Sequence, residues 1–266
     1  MRAVFIWFAA ALLIVIIIIT VTLPAAWLAP VVERQTGGRF SLGDAVGSLW
    51  RGSAFLGVVS TGDPSARARV PLVPLLPGRF HWRLSPMLLL GRVDMRIDNP
   101  DVLTQSAHLQ GNWHQWALTP SALMLPAERL SALGAPLNTL KPSGRMRLSW
   151  ETLSLSSTPD GIAIDGPMRL DMTEIASALS PVKPLGAYQL QVDWRGARAQ
   201  LTLKTLSGPL QLQGSGALVN GRLQFSGAAW AQEGQEQRLA MLLNLLGQRR
   251  QQGNRNIIAL EFKCPL

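Results

Sequence analysis

The 266-residue sequence is poor in the residues from which most catalytic and metal sites are built. It has one cysteine, Cys264, so no disulfide can form within the chain. Its three histidines, His81, His108 and His114, are not accompanied by the further ligands that would complete a metal site. Only 16 residues are acidic, no pair stands out as an acid/base couple, and no nucleophile elbow, phosphate-binding loop or zinc-protease motif is present. We therefore expect no catalytic residues, no metal and no cofactor.

Basic charge is plentiful, but it is not gathered into a run. The formal net charge is +9 at pH 7, and Arg249-Arg250 is the longest arginine run. Proteins that bind nucleic acid concentrate basic side chains on one face or along one helix. The scattered pattern argues against a nucleic-acid partner and leaves an anionic membrane surface or an acidic protein as partners for this charge.

A long hydrophobic run occurs once, near the N-terminus. Residues 3–23 are almost unbroken apolar sequence, long enough to cross a hydrocarbon core of ~30 Å as a helix. A cleaved signal peptide is the alternative, but its apolar region is usually shorter and ends in small residues, whereas the bulky Trp27 precedes Ala29 here. The sequence therefore predicts a retained transmembrane anchor at residues 5–24.

Charge near the anchor sets its expected orientation. Arg2 and the amino terminus favour a cytoplasmic start at residues 1–4. Residues 30–266 would then lie on the far side of the membrane, because no second apolar stretch of spanning length follows. We expect a single-pass membrane protein with nearly all of its mass outside the cytoplasm.

The exported part alternates apolar and polar residues with a period of two, which is typical of β-strands with one wet face. The segments "YQLQVDWR" and "ARAQLTLK" flank Gly196 and predict a β-hairpin. A Gly-Arg pair opens an alternating run five times, at residues 38, 78, 91, 144 and 221. The sequence predicts a mainly β fold, in which an N-terminal transmembrane helix is followed by a largely antiparallel, curved β-sheet, either a sandwich or an open groove.

A few short helices are expected among the strands. Residues 127–134 and 171–180 have short helical patterns, and residues 236–250 place four leucines on one helical face: Leu239, Leu242, Leu243 and Leu246. The proline-containing stretch "LSALGAPLNTLKPSG" suggests two halves of the β-rich region 30–266, dividing near residues 134–144. One continuous sheet fits the same pattern equally well.

Tryptophan is abundant, with nine tryptophans against one tyrosine. Three of them lie on apolar strand faces and are predicted to belong to the core: Trp82, Trp150 and Trp194. Three others lie in turn-rich sequence, and tryptophan is a frequent anchor of protein–protein contacts. We therefore expect partner contacts at Trp113, Trp116 and Trp230.

The stretch "GDAVGSLWRGSA", residues 43–54, lies shortly after the predicted anchor and frames a tryptophan with glycines. Because glycine tolerates tight backbone bends, we expect Trp50 to fold into the start of the sheet rather than to stack on a ligand. The pattern resembles the signature of general secretion pathway protein N, a family of the bacterial type II secretion system. The signature residues here are Gly47, Leu49, Trp50, Gly52 and Ala54.

Two further stretches carry resemblances. "GSGALVNGRLQFSGAAWA", residues 214–231, is similar to the C-terminal part of the same family, and "WRLSPMLLLGRVDMRI" is similar to a passage of AsmA-like envelope proteins. The first resemblance implies an inner-membrane component of type II secretion with a periplasmic domain that binds other secretion components. The second implies an alternative, an envelope protein that binds or transfers lipid in an apolar β-groove. Neither resemblance supplies catalytic residues.

Overall fold

The computed structural model describes residues 22–36, 40–58, 73–133, 137–159, 161–219, 221–252 and 255–265, together with Trp7. These residues form one antiparallel sheet with a few short helices, so the mainly β prediction is confirmed. The anchor predicted at residues 5–24 lies outside the described residues, except for Trp7 and residues 22–24. Among the helices that the structure describes, none has both the length and the apolar character needed to cross a membrane.

The described ranges contain seventeen strands and three α-helices. The strands are β1 Phe40–Gly47, β2 Arg51–Val58, β3 Val73–Pro74, β4 Phe80–Leu84, β5 Arg92–Asp98, β6 Ala107–Asn112, β7 Gln115–Leu118, β8 Ser121–Pro126, β9 Pro142–Trp150, β10 Leu153–Thr158, β11 Gly161–Ser177, β12 Gly186–Gly196, β13 Arg198–Ser207, β14 Leu210–Val219, β15 Arg222–Ala231, β16 Gln248–Gln252 and β17 Arg255–Pro265. The helices are α1 Leu28–Gln35, α2 Leu137–Leu140 and α3 Glu236–Leu246, and there are 3₁₀ turns at Ala25–Trp27, Pro86–Leu90 and Ala127–Leu133.

The sheet is a meander in which nearly every strand pairs with its neighbours in the chain. Its order is β1-β2-β4-β5-β6-β7-β10-β11-β12-β13-β14-β15-β17-β16, and the short β3 pairs with the end of β2. β8 continues the line of β7, and β9 leads into β10, because β8 pairs with β9 and β9 pairs with β11. In the described part of the chain β1 and β16 are therefore the two edges of a single open sheet, as in the open alternative predicted from the sequence.

Turn chemistry explains much of this meander. The hairpin predicted around Gly196 is present: Arg195 pairs with Arg198, and Gly196 has a φ of 64°, which glycine adopts without strain. Three of the Gly-Arg pairs lie at the start of β4, β5 and β15, and Gly144-Arg145 lies inside β9; the pair at residue 38 lies outside the described residues. The alternating pattern and its glycines therefore locate these strands to within a few residues.

Six connections of the meander lie at one end of the sheet, which we call the hairpin end, whereas the short β13–β14 connection lies at the opposite end. The hairpin end is formed by the connections β1–β2, β4–β5, β6–β7, β10–β11, β12–β13 and β14–β15. The N-terminal segment also reaches the sheet here, since the Leu49 N–H donates to the Leu23 carbonyl at 2.8 Å and Pro24 forms an isolated bridge with Ser48. Helix α1 then runs back beside β1, where the Ser41 hydroxyl donates to the Glu33 carboxylate.

The register places apolar side chains in continuous rows on one side of the sheet, which we call the apolar face. One row crosses β9, β11, β12 and β13 through Leu148, Leu170, Leu190 and Leu203. A second crosses β4, β5, β6 and β7 through Leu84, Met95, Leu109 and Leu118. The opposite side carries the exposed polar residues of the same strands. Period-two sequence thus becomes one face that avoids water and one that meets it.

In the described residues, helices cover the apolar face near its two edges. Near β15 and β17, α3 buries Leu239, Leu242 and Leu243 against Ala229 and Ile258. Near β1 and β2, the turn at Ala25 and the start of α1 enclose a smaller cluster around Ala54 and Trp82. Between these caps the leucines and valines of β11, β12 and β13 are only half-buried, because no second layer lies over them in the residues that the structure describes.

One predicted helix is wrong. Residues 171–177 belong to β11, which pairs with β9 on one side and with β12 on the other. The local helical pattern is overridden by pairing on both edges, and a bulge near Glu174, whose φ is 55°, absorbs the irregular spacing. Around the division expected near 134–144, the described residues form α2 and the start of β9, and the strands on both sides belong to the same sheet.

Candidate binding face

The signature residues form the hairpin between β1 and β2 at the hairpin end of the sheet. Gly47 pairs with Gly52 as the last rung, and the Ser48 N–H donates to the Arg51 carbonyl at 2.8 Å. Gly47 has a φ of 96°, and a Cβ there would lie 2.5 Å from the Arg51 carbonyl oxygen. Only glycine fits both the backbone conformation and this close approach.

The indole that this hairpin encloses is that of Trp82 on β4. Its Nε1 donates to the Leu49 carbonyl at 3.0 Å, and its ring lies where a Cβ on Gly52 would be. Ala54 is fully buried in the same cluster. Trp50, by contrast, is half-buried, and its carbonyl accepts a hydrogen bond from the Leu84 N–H at 2.8 Å. The signature hairpin thus forms the packing site of Trp82, which lies outside the signature. The sequence pattern did not indicate this contact.

The apolar face repeats this pairing of a glycine with an aromatic ring. In the cross-strand register Gly52 faces Trp82, Gly111 faces Trp116, Gly166 faces Trp194 and Gly216 faces Phe225. The Phe225 ring also occupies the space where a Cβ on Gly214 would be. Because glycine has no side chain, a large ring on the neighbouring strand can pack over the glycine backbone. Glycines at apolar-face positions are the sequence signal for this arrangement.

The half-buried apolar face between the two caps is the best candidate for a binding face. Val192, Trp194 and Leu201 lie side by side in neighbouring rows of β12 and β13. The Nε1 atom of Trp194 is buried and has no hydrogen-bond partner within the described residues. A donor of this kind leaves about 1–3 kcal/mol of desolvation uncompensated unless an acceptor approaches it. The face is therefore an apolar surface that contains, within the described residues, one buried indole N–H without a hydrogen-bond partner.

The structure does not bring the three tryptophans expected to contact partners together. Trp113 lies at the tip of the β6–β7 hairpin and is 57% exposed. Trp116 lies on the apolar face, opposite Gly111. Trp230 lies near the far end of β15, opposite Gln211 on the polar side of the sheet. They occupy three separate surfaces. Of the core tryptophans, Trp82 is buried, while Trp150 and Trp194 are half-buried.

Titratable side chains in the part of the chain that the structure describes bear on metal binding and on pH dependence. No three His, Cys, Asp or Glu side chains there are close enough together to hold a metal ion. Burial raises the pKa of the Tyr188 hydroxyl above its ordinary value, and this hydroxyl donates to the Leu210 carbonyl at 3.0 Å. Tyr188 fastens β12 to β14 at the end of the sheet where α3 packs.

Comparison with known proteins gives one finding. The family model for type II secretion system (T2SS) protein N matches residues 38–257, which covers the sheet from β1 to the start of β17. No curated protein and no solved structure matches the chain. The match includes the signature hairpin, the aromatic–glycine pairs and the α3 cap. The chain therefore belongs to the family of type II secretion system protein N, a family of protein-secretion components.

Proposed function

We propose that this protein is an inner-membrane-anchored periplasmic component of the type II secretion system, and that it acts through protein–protein contacts in the export of folded proteins across the outer membrane. The family match over most of the chain carries this proposal. The apolar run at residues 3–23 supports the anchor, and Arg2 supports a cytoplasmic start. The periplasm is then the compartment of residues 30–266.

Strand addition at β16 is the contact that the sheet best supports. An edge strand presents unpaired backbone N–H and C=O groups that a strand from another chain can complete. In the described residues β16 pairs only with β17, whereas α1 packs beside the other edge strand, β1. The sequence of β16 includes Arg249 and Arg250, and Arg250 lies 3.2 Å from the Glu261 carboxylate. A partner strand with acidic residues fits this edge.

Lipid binding on the apolar face is the second candidate. The observation that favours it is the absence of a covering layer over β11, β12 and β13 within the described residues. An acyl chain would remove water from these half-buried side chains, and this burial would stabilise the complex by about 25 cal/mol per Å² of apolar surface. In this case secretion partners would be secondary to lipid.

Gentle solubilisation of the full-length protein from its native envelope, followed by mass spectrometry of proteins and lipids, tests both candidates. We expect other secretion components in a fixed ratio, and no more lipid than an unrelated single-pass control protein retains. A photo-crosslinking amino acid at Arg250 should capture protein, whereas the same probe at Gln213, exposed on the polar side of β14, serves as the matched control. Stoichiometric phospholipid, cross-linked from Leu190 and unaccompanied by secretion components, would establish the second candidate instead.

A further inference from the structure

Exposed apolar side chains are concentrated at the hairpin end of the sheet. Large apolar side chains that are exposed to solvent there come from the chain entry and from five different connections: Trp27, Val46, Met87, Leu89, Leu90, Trp113, Ile162 and Val219. Soluble proteins rarely gather exposed apolar side chains in this way unless the surface binds a partner or a membrane.

Two neighbouring hairpins form the most prominent part of this surface, which we call the apolar tip: Pro86–Leu90 and Trp113. The Trp113 Nε1 donates to the Leu88 carbonyl at 2.8 Å, so the indole is fixed against the 3₁₀ turn. The Ser85 hydroxyl caps the start of that turn by accepting from the Met87 N–H at 3.3 Å, and Gly91 ends it. Leu90 is 77% exposed. These side chains are therefore exposed to water from a turn that is held by hydrogen bonds, not from an irregular loop.

A row of like charges crosses the polar side of the sheet next to the apolar tip. Arg51 on β2 pairs with Arg83 on β4, Arg83 pairs with Arg96 on β5, and Arg96 pairs with His108 on β6. Like charges directly opposite each other destabilise a sheet. The three arginines line both of two shallow hollows, of about 470 and 500 Å³, that flank the row. We call Arg51, Arg83 and Arg96 the arginine row.

No carboxylate forms an ion pair with the arginine row within the residues that the structure describes. Arg96 donates to the Ser106 hydroxyl at 3.0 Å, which is an uncharged partner. The nearest carboxylates along β5 are Asp94 and Asp98, and neither forms an ion pair with the row. Asp98 lines one hollow and Asp94 lines the other, so the three aligned guanidinium groups outnumber the nearby carboxylates and are not paired with them. Such an excess of guanidinium groups suits phosphate groups, which guanidinium binds in a bidentate manner.

The position of the N-terminal segment selects the partner. The apolar run 3–23 ends where Leu23 bonds to Leu49, in the hairpin that also carries Arg51. If this run enters a membrane, the hairpin end must lie against that same membrane. Arg96 is four residues from the start of β5, about 13 Å along the strand. This spacing lets the apolar tip reach the acyl boundary while the arginine row stays near the headgroups.

We propose that the hairpin end is a membrane-docking surface, in which the apolar tip inserts into the interface of an anionic phospholipid bilayer and the arginine row binds headgroup phosphates. This proposal rests on the membrane anchoring proposed above. The apolar tip would give the protein a second membrane contact in addition to the anchor, so that the strands extend away from the bilayer in a fixed orientation. It also keeps the β16 edge and the apolar face at a defined orientation for their partners.

Fluorescence quenching in lipid nanodiscs tests the docking. The full-length chain, with Cys264→Ala, receives one environment-sensitive fluorophore through Leu90→Cys at the apolar tip or through Leu206→Cys near the opposite end of the sheet. Both positions are exposed, at 77% and 52%. In nanodiscs containing brominated phosphatidylcholine and phosphatidylglycerol, we expect severalfold stronger quenching at position 90 than at position 206. Equal quenching at the two positions would overturn the proposal.

The arginine row is tested in the same system by Arg51→Gln, Arg83→Gln and Arg96→Gln together. We expect this variant to lose the part of the quenching that depends on phosphatidylglycerol. Its thermal unfolding temperature should not fall, because the substitutions remove repulsion between like charges. Unchanged quenching with and without phosphatidylglycerol would refute the role of the row. Flotation with vesicles distinguishes a failure of docking from a failure of anchoring. A chain that floats but shows no quenching at position 90 is anchored without docking. A chain that does not float overturns both proposals.

Discussion

Gly52 shows how one residue of the signature controls a neighbouring strand. Its missing side chain leaves the space that the Trp82 ring occupies, and the Leu49 carbonyl accepts the indole N–H. The signature is therefore a packing device at the residue scale, in which glycine supplies room and a backbone carbonyl supplies the hydrogen bond. No contact with a ligand is needed to explain its residue types.

Gly52→Ala is expected to destabilise the protein by about 1–3 kcal/mol, because the new methyl group overpacks against the Trp82 ring. Urea unfolding followed by circular dichroism measures this change. In a Trp82→Phe background, the smaller ring should remove the part of the Gly52→Ala cost that comes from the indole, while the close approach to the Val46 carbonyl oxygen, 2.8 Å from the new Cβ, keeps the remainder. If the cost is the same in both backgrounds, the ring contact is not its cause.

Tyr188 is the single tyrosine, and its burial makes stability depend on pH in the alkaline range. Since the pKa of its hydroxyl is raised in the folded state, the unfolded chain loses this proton first, near its ordinary pKa of about 10. The free energy of unfolding should therefore be unaffected by this group below about pH 9 and fall as the pH rises further. Tyr188→Phe should remove that slope and cost about 1 kcal/mol at lower pH through the lost bond to Leu210.

Ultraviolet absorbance of the phenolate reports Tyr188 alone, because no other tyrosine contributes. Circular dichroism in the same titration reports folding. Phenolate formation should coincide with the loss of the sheet signal. A phenolate that forms at the ordinary pKa while the sheet signal remains native would show that this hydroxyl is accessible in the folded protein.

At the scale of the element, α3 illustrates a helix whose sequence and role agree. Its leucines recur at one helical face, and Leu239 is fully buried against the end of the sheet. Residues 171–177 illustrate the opposite case, because a comparable local pattern lies in β11 between two partner strands. The difference is that α3 follows an edge region with an apolar face to cover, whereas β11 has backbone partners on both sides.

Leu239→Ala should lower the free energy of unfolding by about 2–5 kcal/mol, as expected for a cavity in a packed cluster. Met241, on the other side of α3, is 68% exposed, and Met241→Ala should change stability by less than about 0.5 kcal/mol. Thermal unfolding of the two variants under the same conditions compares them directly. Equal losses would mean that α3 does not act as a cap on the apolar face.

At the scale of the whole molecule, the sheet is one layer with two partial caps. Most β-domains bury an apolar face against a second sheet or a helical layer, whereas here half-buried leucines extend across β11, β12 and β13 in the described residues. Within the described part of the chain, such a sheet leaves a face, an edge and a hairpin end uncovered. The three surfaces are the apolar face, the edge at β16 and the proposed docking surface, and each is suited to a different kind of partner.

The sequence by itself determined the mainly β fold, the alternating strands on either side of Gly196 and the resemblance to the family. Alternation has a period of two and glycines mark turns, so both are local signals that survive without tertiary information. The hairpin around Gly196 and the leucine face of α3 follow from such signals. The signature "GSLWRGSA" also suggested the family that the match over 38–257 established.

Only the tertiary structure decided which surfaces exist. A pattern of alternating residues cannot distinguish a sandwich from an open sheet, because both bury the same side chains and differ only in what lies above them. Nor can such a pattern show that the Trp82 ring packs over Gly52. It cannot show that Arg51, Arg83 and Arg96 form one row either, since these residues are far apart in the chain and meet only through strand register. The positions of the caps, the rows and the apolar tip are set by pairing between distant residues, which no local pattern encodes.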